Sequence, residues 1–412
     1  MAATLDYIEV KGVKIPLIFE ADKRLPIASM QLVFRNGGSL NDGELPGLAN
    51  ISAKMMNEGS KKRGSSGFAN ALDSKAIHLS ANVGRETFVF EVGSLSEHFS
   101  EGLGLMREVL EEPNLSKESL QKVQAVSIGA LSRKENDYDY VANNELKAII
   151  FENTPLQHPA AGTVESLKKL ALKDVEHYLD EHLTLARAII VLGGDLDLEA
   201  AKKEIAATLE VLEVGKTAEM VHYKVVEKPQ TRELERTTEQ AYLYFGSPYH
   251  MRVENDDYYK ARVAIFILGS SGFGSRLMEE IRVKRGLAYS AYARINVSLS
   301  HSYFMGYLQT KLESREEAQA TVKEVIATFL KEGVTQDELD QAKKFLLGSE
   351  PLRVETLSQR LSRTFQEYYR GLQLGHTQAE LEKIRALKLE DLNGFIKSHD
   401  EITELSFAIV RE

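Results

Sequence analysis

The sequence predicts an α+β fold built as two similar halves, each a mostly antiparallel sheet packed with helices. Three observations carry that expectation. Short β-branched or alternating runs come in groups separated by Gly, Asn and Asp, and stretches of helical period follow them. The same order of elements then recurs after residue 240. The length of 412 residues also exceeds what one hydrophobic core holds, since single cores stop growing at about 250–300 residues.

The first half opens with strand runs at 5–10, 14–19 and 29–34, followed by loop glycines at 37–38 and 43. A helix is expected over 47–58 and the end of another at 71–74. A hairpin follows at 77–83 and 86–92. Two long helical stretches cover 96–110 and 116–134, the second opening on Ser116 as a plausible N-cap. Further helices are expected at 143–152 and 172–182. A short apolar strand at 188–192 ends in Gly193-Gly194, and a helix at 198–209 closes the half. Residues 213–239 contain few large apolar side chains and read as a connection, which bounds the halves at 1–212 and 240–412. The second half repeats the grammar: a strand at 241–245, a helix at 256–268, a Gly/Ser loop at 269–275 and a helix through Arg285. Paired strands at 288–297 and 302–308 come next. Helices at 316–331, 335–348, 357–370 and 379–384 lead to a last strand at 406–410.

Composition removes several function classes. Hydrophobic residues make up 43% and charged residues 27%, the balance of a globular chain. A net charge of −10 offers no basic footprint for nucleic acid. No run approaches the ~18 apolar residues of a membrane span. The absence of Cys excludes disulfides, thiolate metal sites and cysteine nucleophiles. No signal peptide is visible in MAATLDYIEV, so a cytoplasmic location is expected, with the periplasm as the alternative for a trimmed chain.

Several segments invite a chemical reading. His177 and His182 lie five residues apart, about 140° around a helix, and cannot share one metal ion; an amphipathic helix with solvated polar groups is expected. The run Gly269-Ser-Ser-Gly-Phe-Gly274 lacks the Gly-Lys-Ser/Thr of a phosphate loop and follows a helix rather than a strand, so it reads as a loop. No Gly-x-Ser-x-Gly elbow occurs. Arg282 near a helix end and Tyr289 beyond the turn at Gly286 offer a forked guanidinium and an O–H donor for a carbonyl or a developing oxyanion. A surface Arg beside a half-buried Tyr is the simpler alternative.

The stretch Leu268-Gly-Ser-Ser-Gly-Phe-Gly-Ser-Arg-Leu-Met-Glu-Glu-Ile-Arg282-Val-Lys-Arg-Gly286-Leu-Ala-Tyr289 resembles the C-terminal signature of the pitrilysin/insulinase/mitochondrial processing peptidase family. The segments at Gly333–Lys343, Gly38-Ser39, Pro46–Ala49, Leu95–Leu103 and Leu183–Asp195 are similar to it as well, so the resemblance spans nearly the whole chain. It implies a duplicated processing-peptidase-like domain. The family's zinc site is an inverted His-x-x-Glu-His on a helix, with a Glu ligand roughly 75 residues further on. At the matching positions this chain has Asn50, Ala53 and Lys54, and Ala130 stands 76 residues after Lys54. The resemblance therefore implies a degenerate zinc site, with no metal or other cofactor in this chain.

Arg282 and Tyr289 match the family's substrate-binding, oxyanion-stabilising pair. Ser80-Ala81 match its peptide-binding sheet edge, where Ser80 replaces the usual Asn. Loss of one set with retention of the other implies a non-catalytic, substrate-binding or regulatory subunit, inactive alone. Its expected partner is a homologous zinc-bearing chain, with which it would enclose peptide substrates and supply Arg282 and Tyr289 in trans. Two alternatives stand beside this: a homodimeric peptide-binding scaffold without peptidase activity, and a hydrolase using a His such as His78 or His98.

Overall fold

The computed structural model describes residues 3–412, which gather into two compact units. One holds the chain up to Arg133 together with Pro159–Met220 and Val354–Gln366. The other holds Lys134–His158, Val221–Arg353 and Glu367–Glu412. Each unit thus includes a helical segment drawn from the opposite half of the sequence.

The first unit is built on β1 (Thr4–Val10), β2 (Val13–Ala21), β3 (Ile27–Arg35), β4 (His78–Val83), β5 (Thr87–Leu95) and β6 (Ala188–Gly194). Their order in the sheet is β1-β2-β6-β3-β5-β4, and only the β2/β6 pair is parallel. Strand β5 alternates, with Phe88, Phe90 and Val92 buried between half-exposed neighbours, as a sheet covered on one face requires. Strand β6 is buried at every position, because its other face is covered too. Gly193 marks that contact: a Cβ there would lie 2.7 Å from Leu361 Cδ1 of helix Leu357–Tyr369. Arg360 on the same helix donates to Glu20 Oε1 at 2.6 Å and to Asp22 Oδ2 at 2.9 Å.

The second unit is built on β7 (Thr231–Glu235), β8 (Gln240–Pro248), β9 (Ala288–Val297), β10 (Ser302–Lys311) and β11 (Ser406–Arg411). The order is β7-β11-β8-β10-β9, and only β7/β11 is parallel. With β1 set aside, the two sheets have the same topology strand for strand, which confirms two similar α+β halves. Helix Tyr138–Ile150 takes the place on this sheet that helix Leu357–Tyr369 takes on the first. It packs Leu146 against Gly246, where a Cβ would stand 3.3 Å from Leu146 Cδ2 and 2.9 Å from the Phe304 carbonyl.

Strand β7 lies inside the stretch read from sequence as a connection. Its residues, Thr-Arg-Glu-Leu-Glu, form an exposed edge strand whose charges pair outward: Glu233 accepts from Arg315 and Arg411. A charged edge is a common device against unwanted strand pairing, and it hides a strand from any apolar pattern. Among the described residues no helix is long and apolar enough to cross a membrane.

Candidate functional site

Helix Leu48–Met56 carries the three positions where the resemblance places the zinc motif. Gly47 starts it at φ 96°, and a Cβ there would meet Leu167 Cδ2 at 2.8 Å and the Ala161 carbonyl at 2.9 Å. Asp42 accepts from the Gly47 and Ala49 N–H groups, each at 2.7 Å, and so satisfies donors at the helix start. Ala53 is buried, while Asn50 and Lys54 are half-buried. The Lys54 ammonium donates to Ser127 Oγ at 2.8 Å on helix Lys117–Lys134, and Ala130 follows Ser127 by about one turn. The fold therefore brings Lys54 and the Ala130 helix together. Asn50, Ala53, Lys54 and Ala130 offer neither imidazole nor carboxylate, and an ammonium repels a divalent cation, so this set does not fit zinc. Among the described residues no group of three or more His, Asp or Glu is arranged to hold a metal ion.

Ser80 and Ala81 lie on β4, the outer strand of the first sheet. Ser80 Oγ bonds His78 Nε2 at 3.0 Å and Asn82 Nδ2 at 3.1 Å, its neighbours two residues either way on one face. Ala81 is buried, and both of its backbone polar groups bond the side chain of Asn57. Nothing in the composition singles out Asn57; it follows the degenerate motif by three residues.

In the second unit, residues Phe266–Ser270 and Glu279–Lys284 form two wide π-type turns, the first of which takes in Gly269 and Ser270 of the expected Gly/Ser loop. Gly286 then reverses the chain at φ 64°. Strand β9 carries an extra residue at its start. Ala288 faces Thr310 and Ala291 faces Leu308, so Tyr289 and Ser290 share one position opposite Gln309. Such a bulge re-aims its side chains. Tyr289 is 80% exposed, which rules out the half-buried alternative. The Arg282 guanidinium carbon lies 4.2 Å from the Tyr289 ring centre and 4.7 Å from that of Phe273, itself 67% exposed. Neighbouring cations are paired, Lys284 with Glu280 and Arg285 with Glu324, whereas no carboxylate pairs with Arg282 among the described residues. Arg282 is thus held by two aromatic faces with its N–H donors uncommitted to an anion. A lone aromatic in a Gly/Ser loop, such as Phe273, carries no periodic signal that would mark it in the sequence.

The histidine helix, Leu172–His182, departs from expectation on one side. His177 is exposed and pairs with Glu181, but His182 is 4% exposed. Its Nδ1 accepts from Arg187, which also donates to the Asn36 carbonyl at 2.9 Å. Burial, reinforced by the Arg187 charge, lowers the His182 imidazole to about 4. The Tyr178 ring packs against that of His182, tilted by 46° with centres 4.3 Å apart, and its O–H donates to the Gly37 and Gly38 carbonyls. Burial pushes the Asp42 carboxyl up to about 7, against the pull of its two N–H donors and of Arg85.

Comparison with known proteins places two family matches along the chain. The profile described as insulinase, peptidase family M16, matches residues 17–164, and that of the peptidase M16 inactive domain matches residues 169–346. The chain belongs to peptidase family M16. Among its relatives, the "Non-peptidase homolog YmxG" of Helicobacter pylori is 42% identical over 409 residues, covering 99% of this chain and 94% of the relative. The "Uncharacterized zinc protease YmxG" of Bacillus subtilis is 24% identical, covering 86% of each chain. A solved peptidase M16 inactive domain from Pseudomonas fluorescens shares the fold at a TM-score of 0.90, with 23% identity over 99% of this chain and 97% of that one.

Proposed function

We propose that this family member is a non-catalytic subunit of a two-chain zinc peptidase. A homologous partner carries the zinc, and this chain supplies Arg282 and Tyr289 to the partner's site. The observation that carries the reading is the contrast between the two chemical sets. Asn50, Ala53, Lys54 and Ala130 leave nothing to hold zinc, while Arg282 and the exposed phenol of Tyr289 stand ready as donors. The name of the Helicobacter pylori relative, a non-peptidase homologue, supports the first part. In this reading residues 1–212 and 240–412 are the two processing-peptidase-like halves, and the complex works in the cytoplasm.

The division of labour follows from the chemistry. Zinc in the partner would activate water and polarise the scissile carbonyl. Arg282 orients a substrate carbonyl or carboxylate through its forked donors, and the Tyr289 O–H donates to the oxygen that gains charge. The test is to assay peptide hydrolysis by this chain alone, by the zinc-bearing chain alone and by the mixture. Hydrolysis only in the mixture, falling about 100-fold with Tyr289→Phe, is the expected result. Zinc-dependent hydrolysis by this chain alone would end the reading, and an unchanged rate with Tyr289→Phe would remove Tyr289 from it.

A further inference from the structure

Strand β4 ends the first sheet and pairs on one side with β5 alone. Alternate residues of such a strand turn their N–H and C=O groups outward, where an extended chain can pair with them. At Ala81 that outward pair is already taken. The Ala81 N–H donates to Asn57 Oδ1 at 2.7 Å, and Asn57 Nδ2 donates to the Ala81 carbonyl at 2.9 Å. A carboxamide presents one C=O and one N–H, as a peptide backbone does. Asn57 therefore reproduces on Ala81 the two bonds that one residue of an added antiparallel strand would make. Asn57 is the residue on which helix Leu48–Met56 ends, its own N–H bonding back to the Ala53 and Lys54 carbonyls. Beneath the contact is a cavity of about 70 Å³ lined in part by Met56, Phe68, Leu72, Leu79 and Ala81. It has room for a small apolar side chain.

We propose that Asn57 is a built-in plug of the β4 edge, closing it to extended peptides until the carboxamide swings away. The occupant it excludes is a single extended segment. That segment's backbone replaces the carboxamide on Ala81, and one of its small apolar side chains enters the cavity. The peptide-handling role argued above underlies this inference. It is tested on the chain alone, without a zinc-bearing partner, so either can fail while the other stands.

The probe is a fluorescein-labelled ten-residue peptide of alternating Val and Thr with terminal Lys, followed by fluorescence anisotropy. Two hydrogen bonds, each of modest net value, set the expected effect: Asn57→Ala binds the peptide about 10–30-fold more tightly than the unaltered chain. Asn57→Asp, which keeps the acceptor for the Ala81 N–H but loses the donor, falls between them and serves if the Ala variant does not fold. Amide exchange at Ala81 gives a second readout. It should be slow in the unaltered chain, fast in Asn57→Ala, and slow again when the peptide is added. Equal peptide affinity in all three chains, or an Ala81 amide still slow in the free Ala variant, would overturn the proposal. Self-association of the variant through this edge in place of peptide binding would overturn the assigned occupant.

Discussion

Replacing Asp42 by Asn should expose a pH dependence that the unaltered chain conceals. Asp42 and His182 belong to one buried polar region of the first unit, and folding moves their protons in opposite senses. Asp42 rises from 3.8 to about 7, so it holds its proton more tightly when folded. Its contribution to stability is full below about pH 3.8 and is lost as pH rises through 7. His182 falls from 6.5 to about 4, so it holds its proton less tightly when folded. Its contribution is full above pH 6.5 and is lost as pH falls through 4.

Within its window each group changes stability by about 1.4 kcal/mol per pH unit. The windows overlap between about pH 4 and 6.5 with opposite signs, so the two slopes nearly cancel. Asp42→Asn leaves His182 unopposed, and stability should climb with pH across that range. His182→Gln leaves Asp42 unopposed, and stability should fall from about pH 4 to 7. For a unit of about 200 residues, an unfolding entropy near 0.4 kcal/mol/K turns each slope into ~3 °C of melting temperature per pH unit. Near-ultraviolet circular dichroism melts at half-unit pH steps measure it. Subtracting the unaltered chain's curve removes every other titrating group. A difference curve flat within about 1 °C across the window would refute the assigned proton balance.

Two further substitutions probe the contacts that hold the fold and the Arg282 site. Arg360→Leu strands the Glu20 carboxylate, which is 3% exposed, and should cost about 3 kcal/mol in urea unfolding; adding Glu20→Leu should recover most of that. A loss under about 1 kcal/mol in the single variant would deny the pair that role. Phe273→Ala removes one of the two rings against Arg282 and should leave the melting temperature within about 1 °C. Turnover of the mixed complex should fall about two- to fivefold, since an exposed cation–π contact is worth about 0.5–1 kcal/mol. Unchanged turnover would show that Tyr289 alone positions the guanidinium.

Nearly every strand was legible in the sequence, because β-branched runs bounded by Gly, Asn and Asp leave a local signature; 288–297 came out with its observed limits. Strand β7 was not, since its stability comes from pairing with β11 and from ion pairs, neither of which leaves an apolar pattern. The exchange of helices Tyr138–Ile150 and Leu357–Tyr369 between the sheets was equally hidden: a helical period states that an apolar face will be covered, not by which sheet. The backbone glycines that make the contact, Gly193 and Gly246, are visible only as glycines until the packing helix is in place. At the site, Asn50, Ala53, Lys54 and Ala130 lie on helices and Ser80, Ala81 and Tyr289 on strands, elements that local pattern makes visible. The residues that surround them, Phe273, Asn57 and Ser127, were found only through distances. Ser127 and Asn57 act across 73 and 24 residues of sequence, and Phe273 through a ring contact with Arg282, and no spacing rule exists for any of them.

The two chemical sets differ in how the fold uses them, and that difference bears on what the chain does. Lys54 has become part of the first unit's own structure: with Ser127 it ties two helices together at 2.8 Å, a contact that requires no ion. Ser127 is 3% exposed, so truncating Lys54 would leave a buried hydroxyl short of its partner. Arg282 and Tyr289 contribute nothing comparable to the second unit. The phenol is 80% exposed on a bulge that turns it out of the strand's regular alternation, and the guanidinium rests on two rings that are themselves mostly in water. Exposed aromatic area gives the isolated chain little hydrophobic stabilisation, and the same rings gain it when a second surface covers them. The Lys54 position is therefore tied into this chain's own folding, whereas the exposed rings around Arg282 gain little from it, a contrast in keeping with the partner proposed above.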